Sequence, residues 1–68
     1  MMGTILNQDG LHLVNPDYIE VSQGGFIFAR WRDEELGGVV LGKYRDLDRA
    51  KEVLREIFQT EYYEMPIE

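Results

Sequence analysis

The chain has 68 residues, a formal net charge of −6 and no cysteine. These counts allow one domain and exclude a disulfide framework, a cysteine-ligated zinc site and a cysteine nucleophile. No apolar run approaches the roughly 20 residues of a membrane helix, and no signal-peptide pattern opens the chain. Thirteen acids against seven bases argue against general nucleic-acid binding, which rests on neutralising phosphates. The expectation is a cytoplasmic protein with no membrane partner and no direct nucleic-acid partner.

Turn signals recur at Asn7-Gln8-Asp9-Gly10, Asn15-Pro16-Asp17, Gln23-Gly24-Gly25 and Asp33 to Gly38. Between them lie short runs rich in Ile, Val, Leu, Phe and Tyr, the composition of strands. The runs predict strands near 3–7, 11–14, 18–22, 26–32 and 38–44. Their connections are too short for a parallel crossover, so an antiparallel five-stranded meander is expected.

The last third changes period. Leu47, Ala50, Val53, Leu54, Ile57 and Phe58 recur at three- and four-residue spacing, one side of a helix. Asp46 is the expected N-cap and Asp48 suits the positive end of the helix dipole. Glu61 would project onto the apolar stripe, which places the stop near Thr60. Pro66 makes the tail extended or irregular. The organisation expected is an α+β domain over residues 1–60, with one C-terminal helix on one sheet face, followed by an acidic, aromatic tail over 61–68.

Side chains alternate faces along a strand, so register assigns each residue a side. Pairing Ser22 with Phe26 sets Val21 opposite Ile27 and Ile19 opposite Ala29. Pairing Arg32 with Gly38 sets Trp31 opposite Val39 and Ala29 opposite Leu41. With Ile5 opposite Leu13, these residues form the face that receives the helix. The other face would carry Leu6, His12, Val14, Tyr18, Glu20, Phe26, Phe28, Arg30, Arg32, Val40, Gly42 and Tyr44. Phe28 would lie across from Gly42, Phe26 across from Tyr44, and Tyr18 across from Arg30. That face is too apolar for a solvated one. Two coverings are open: another subunit or partner, or the chain's own end with Tyr62, Tyr63, Met65 and Ile67.

Chemistry is harder to find. His12 is the only histidine and Ser22 the only serine, so no triad is available. Asp33-Glu34-Glu35 diverge in a turn, and solvation fits them better than calcium. Gly24-Gly25 and Gly37-Gly38 read as hairpin turns, not phosphate loops. Neither an enzyme nor a cofactor is expected. Arg30 and Arg32, about 7 Å apart on one strand face, are the one local pair that could hold an anion, with Tyr18, Phe26 or Phe28 able to stack on a base. Their alternative is pairing with Glu20, Asp33, Glu34 or Glu35.

The Ile5-Leu6-Asn7-Gln8-Asp9-Gly10 opening, Leu41-Gly42-Lys43-Tyr44, Asp48-Arg49-Ala50-Lys51-Glu52-Val53-Leu54 and Tyr63-Glu64-Met65-Pro66 together resemble a group of small proteins of Firmicutes and their prophages. No catalytic residue is associated with that group, so none is carried over. The resemblance implies a phage-borne accessory protein that binds a host factor such as a defence component. From the residues, a homo-oligomeric, non-enzymatic binding protein is expected, with Glu61, Glu64 and Glu68 open to a basic surface; that it inhibits its partner is what the resemblance implies. The alternatives are an oligomeric nucleotide-binding sponge and a plain assembly module. Tyr18, Phe26, Phe28, Arg30, Arg32, Tyr44, Tyr62 and Tyr63 are the candidate interface or ligand-binding residues.

Overall fold

A computed structural model describes residues 3–33 and 38–68. The fold is α+β, with six strands in two three-stranded sheets and one helix. β1 (Thr4–Leu6), β2 (Leu13–Val14) and β6 (Tyr62–Glu64) form the first sheet in the order β2-β1-β6. β3 (Tyr18–Val21), β4 (Phe26–Arg30) and β5 (Val39–Lys43) form the second in the order β3-β4-β5. Helix α1 (Leu47–Ile57) runs between β5 and β6.

The single meander expected from the loop lengths is therefore corrected to two sheets. The break falls at Asn15-Pro16-Asp17, where Pro16 is buried and has no amide proton to donate to a ladder. The connection is instead held to the second sheet. Trp31 Nε1 donates to the Asn15 carbonyl at 3.0 Å, and the Asp17 amide donates to the Arg30 carbonyl at 2.9 Å. The parallel pair escaped the loop-length argument because β1 and β6 are joined through nearly the whole chain. Thr4 lies beside Tyr62, Ile5 beside Tyr63 and Leu6 beside Glu64. This pairing needs Gly3, since a Cβ there would stand 1.6 Å from the Glu61 carbonyl oxygen.

The β3–β4 register is the expected one, with Ile19 opposite Ala29 and Val21 opposite Ile27. Its turn uses Gly25 at φ +90°, and an added Cβ would meet the Tyr44 carbonyl oxygen at 2.3 Å. The other two hairpins differ. Ile5 faces Val14, and Leu6 faces Leu13. That one-residue slip leaves Leu13 63 % exposed and packs Val14 against the core. In the β4–β5 pair, Ala29 faces Val39 and Phe28 faces Val40. A bulge between Ile27 and Phe28 then sets Ile27 opposite Gly42 and Phe26 opposite Lys43. Trp31 thus loses its expected partner Val39, and Tyr44 moves off the open face into the core at 2 % exposure. The ring that shields Gly42 is Tyr44, 3.1 Å from where a Cβ would sit, rather than Phe28. A bulge adds one residue to one strand and leaves no mark in an alternation pattern read strand by strand. The turn between β4 and β5, with Glu34, Glu35 and Gly37, lies outside the described residues.

Helix α1 begins as expected. Asp46 is extended at φ −161° and its Oδ1 accepts from the Arg49 amide at 2.9 Å. The helix buries Ala50, Val53 and Ile57 and ends at Ile57, three residues before the expected stop. Phe58, expected on the apolar stripe, is 57 % exposed because the chain leaves the helix beside it. The helix packs against β3, β4 and β6, so one core serves both sheets. Ile5, Ile27, Ala29, Leu41 and Met65 close it from the strand side and the tail. Residues 61–68 thus contribute a strand and, through Met65, a core side chain.

Candidate functional site

The outer face of the second sheet is built on β4. Ile27 and Ala29 point into the core with no exposed surface, so Phe26, Phe28 and Arg30 take the opposite side, each half-buried. Register brings Tyr18 beside Arg30, Glu20 and Val40 beside Phe28, and Lys43 beside Phe26. The Phe26 and Phe28 rings stack with centroids 6.0 Å apart and planes 24° from parallel. Each ring carries a cation: the Arg30 guanidinium lies 5.8 Å from the Phe28 centroid, and Lys43 Nζ lies 5.6 Å from that of Phe26. Stacked rings and ring–cation pairs both follow from the negative face and positive edge of an aromatic ring.

Arg30 also meets Glu20, one of the carboxylates expected to compete for it. Its Nε stands 3.2 Å from Glu20 Oε1, yet the angle is too poor for a hydrogen bond and the buried Nε has no other partner. The ion pair therefore holds Arg30 weakly. Arg32 follows just beyond the strand, exposed, with its amide donating to Asp17 Oδ2 at 2.9 Å. Among the described residues, this sheet face thus gathers Arg30, Arg32 and Lys43 against Glu20 and Asp17, in a chain whose net charge is −6. Two depressions of about 260 and 280 Å³ flank Lys43, one lined by Asn7, Gln8, Asp9 and Val40 to Gly42, the other by Tyr44, Arg45 and Glu68.

Of the eight candidate residues, Tyr18, Phe26, Phe28 and Arg30 come together, with Arg32 at the rim. The three others stand elsewhere. Tyr44 is a core residue whose hydroxyl donates to the Pro66 carbonyl at 2.9 Å, and burial, followed by the charge of Glu68, pushes its pKa up to about 12. Tyr63 donates to Glu56 Oε1 at 2.5 Å, and burial ahead of that bond raises its pKa above the usual phenol value. Tyr62 sits on β6, 51 % exposed, with its hydroxyl on Glu64. Lys43 was missed, since only the bulge brings it onto Phe26.

The described tail does not lie over these rings. Met65 donates its amide to Leu6, the Pro66 carbonyl accepts from Gln8 and Tyr44, and Glu68 pairs with Arg49 on the helix. His12 is exposed in a local turn network, its Nδ1 3.6 Å from Asp9 Oδ2. No group of three or more His, Asp or Glu among the described residues is placed to hold a metal, and no described helix is long and apolar enough to cross a membrane.

Comparison with protein-family models, with curated proteins and with solved structures finds no match for this chain. The functional reading therefore rests on the sheet face itself.

Proposed function

We propose that this chain is a non-enzymatic binding protein whose working surface is the outer face of β3–β4–β5, and that its partner is anionic. The supporting observation is the concentration of cations on that face, two of them held over stacked rings, while the rest of the chain is acidic. The host factor that the family resemblance implies would meet this face through an anionic patch, in place of the basic surface expected opposite Glu61, Glu64 and Glu68, and a nucleotide would use the same face.

Size argues against a homo-oligomer built on this face alone. Three strands of about five residues cover about 240 Å² in projection. Even doubled for surface relief, that falls below the roughly 800 Å² per partner of a stable protein interface. Self-repulsion at −6 acts in the same direction.

Titration with a heparin oligosaccharide at low salt, followed by amide chemical shifts, tests this reading. Shifts are expected at Phe26 to Arg30 and at Lys43. Shifts confined to the helix cations Arg49, Lys51 and Arg55 would place any anion binding elsewhere and refute it.

A further inference from the structure

The ring–cation units on the face are two, and they repeat. Phe26 with Lys43 and Phe28 with Arg30 each join a π surface to a positive charge, and the rings are one pleat apart on the same side of one strand. A carboxylate-bearing peptide would satisfy the charges and leave the rings unused. A nucleotide chain has the matching repeat, because every residue of it carries both a flat base and an anionic phosphate. We infer that this face binds a single-stranded oligonucleotide, its bases packing on the Phe26–Phe28 pair while the phosphates meet Arg30, Arg32 and Lys43. The inference rests on the anion-binding reading of the same face and names its occupant.

Three further features fit this occupant. The face is open, as extended strands require and duplexes do not: a duplex keeps its bases paired and stacked on one another, away from a flat protein surface. A base arriving on a ring displaces the cation resting there, and the freed cation lies beside the phosphate of the same nucleotide. Finally, Glu20 holds Arg30 through a contact that is not a hydrogen bond, so exchange of carboxylate for phosphate breaks no strong bond. The net charge of −6, which counts against general nucleic-acid affinity, acts on long-range approach. Among the described residues of the face, three cations stand against Glu20 and Asp17, and salt screens the distant acids.

The test is fluorescence anisotropy at about 0.15 M salt, where the distant acids are screened, with labelled dT8, an eight-residue abasic strand and a blunt duplex, run beside the heparin titration. Expected is dT8 binding at least tenfold tighter than the abasic strand or the duplex. Phe26→Leu and Phe28→Leu should each weaken dT8 by about tenfold while leaving abasic binding within about twofold. Lys43→Gln, on a different strand, serves if either ring variant fails to fold, and should flatten a salt dependence whose logarithmic slope is about −2 for three phosphate contacts. If heparin shifts the face but dT8 binds no better than the abasic strand, the oligonucleotide inference fails and the anion-binding face stands. If neither binds there, both fail. If sedimentation shows a dimer that Phe28→Glu dissociates, the face belongs to a second copy and the inference is overturned.

Discussion

Gln8 and Lys43 clasp one another at the seam between the two sheets: the Lys43 amide donates to Gln8 Oε1 at 2.9 Å, and Gln8 Nε2 donates to the Lys43 carbonyl at 3.3 Å. The Gln8 amide adds a bond to the Leu41 carbonyl at 2.7 Å. One residue thus occupies the edge of β5 that another strand would otherwise seek. Its Nε2 also reaches the Pro66 carbonyl at 2.9 Å, tying the tail to the same point.

Replacing Gln8 with alanine removes three side-chain bonds, two at the exposed Lys43 backbone and one at the Pro66 carbonyl, which keeps the Tyr44 hydroxyl. A loss of about 0.5–1.5 kcal/mol is expected, read as a lower urea midpoint. Gln8→Glu should cost more at neutral pH, because a carboxylate would then face the Lys43 and Pro66 carbonyls. Equal midpoints for the wild type and Gln8→Ala would show that the clasp adds nothing.

The slip of the first hairpin gives a paired test. Val14→Asn places an amide against the core and should lower stability by about 1–3 kcal/mol, whereas Leu13→Asn, at a site 63 % exposed, should change it by less than about 0.5 kcal/mol. The reverse order of effects would restore the register expected from the sequence.

What was legible in the chain and what was not divides along that line. Helix α1 and its Asp46 cap were readable because periodicity and capping are local properties. So was the β3–β4 hairpin, whose turn demanded the positive φ that Gly25 supplies. The β6–β1 pairing was hidden, since no local pattern in Tyr62 to Glu64 names a partner more than fifty residues away in sequence. The bulge at Ile27/Phe28 was hidden for a different reason: it answers to the fit of Tyr44 over Gly42 and into the core. Hence Phe26, Phe28 and Arg30 were placed correctly on the open face, while Tyr44 was not and Lys43 was overlooked.

The helix cap offers a cleaner stability test. Asp46→Ala removes the acceptor for the Arg49 amide and should cost about 1 kcal/mol, with Asp46→Asn recovering most of it. Thermal unfolding of the three proteins measures both.

Alkaline pH should weaken the fold through its tyrosines. The Tyr44 pKa is raised from 10.0 to about 12, by burial first and Glu68 second. The unfolded chain therefore ionises at this site before the folded one. The associated stability is complete below pH 10 and is lost as pH rises through about 12. Tyr63 shifts in the same direction. The urea midpoint should fall between pH 9 and 11.5, and Tyr44→Phe should make that fall shallower. A midpoint equally steep in the variant would remove Tyr44 from the account.

The most direct check of the sheet face compares two charge-matched variants. Phe28→Glu and Phe58→Glu each take the chain from −6 to −7, one on the outer face of β4 and one on the 57 % exposed residue that follows the helix. Elution from immobilised heparin at low salt, on samples with native circular dichroism, is the measurement. Phe28→Glu should lose retention while Phe58→Glu elutes with the wild type; equal loss in both would mean that net charge alone, and not this face, governs binding.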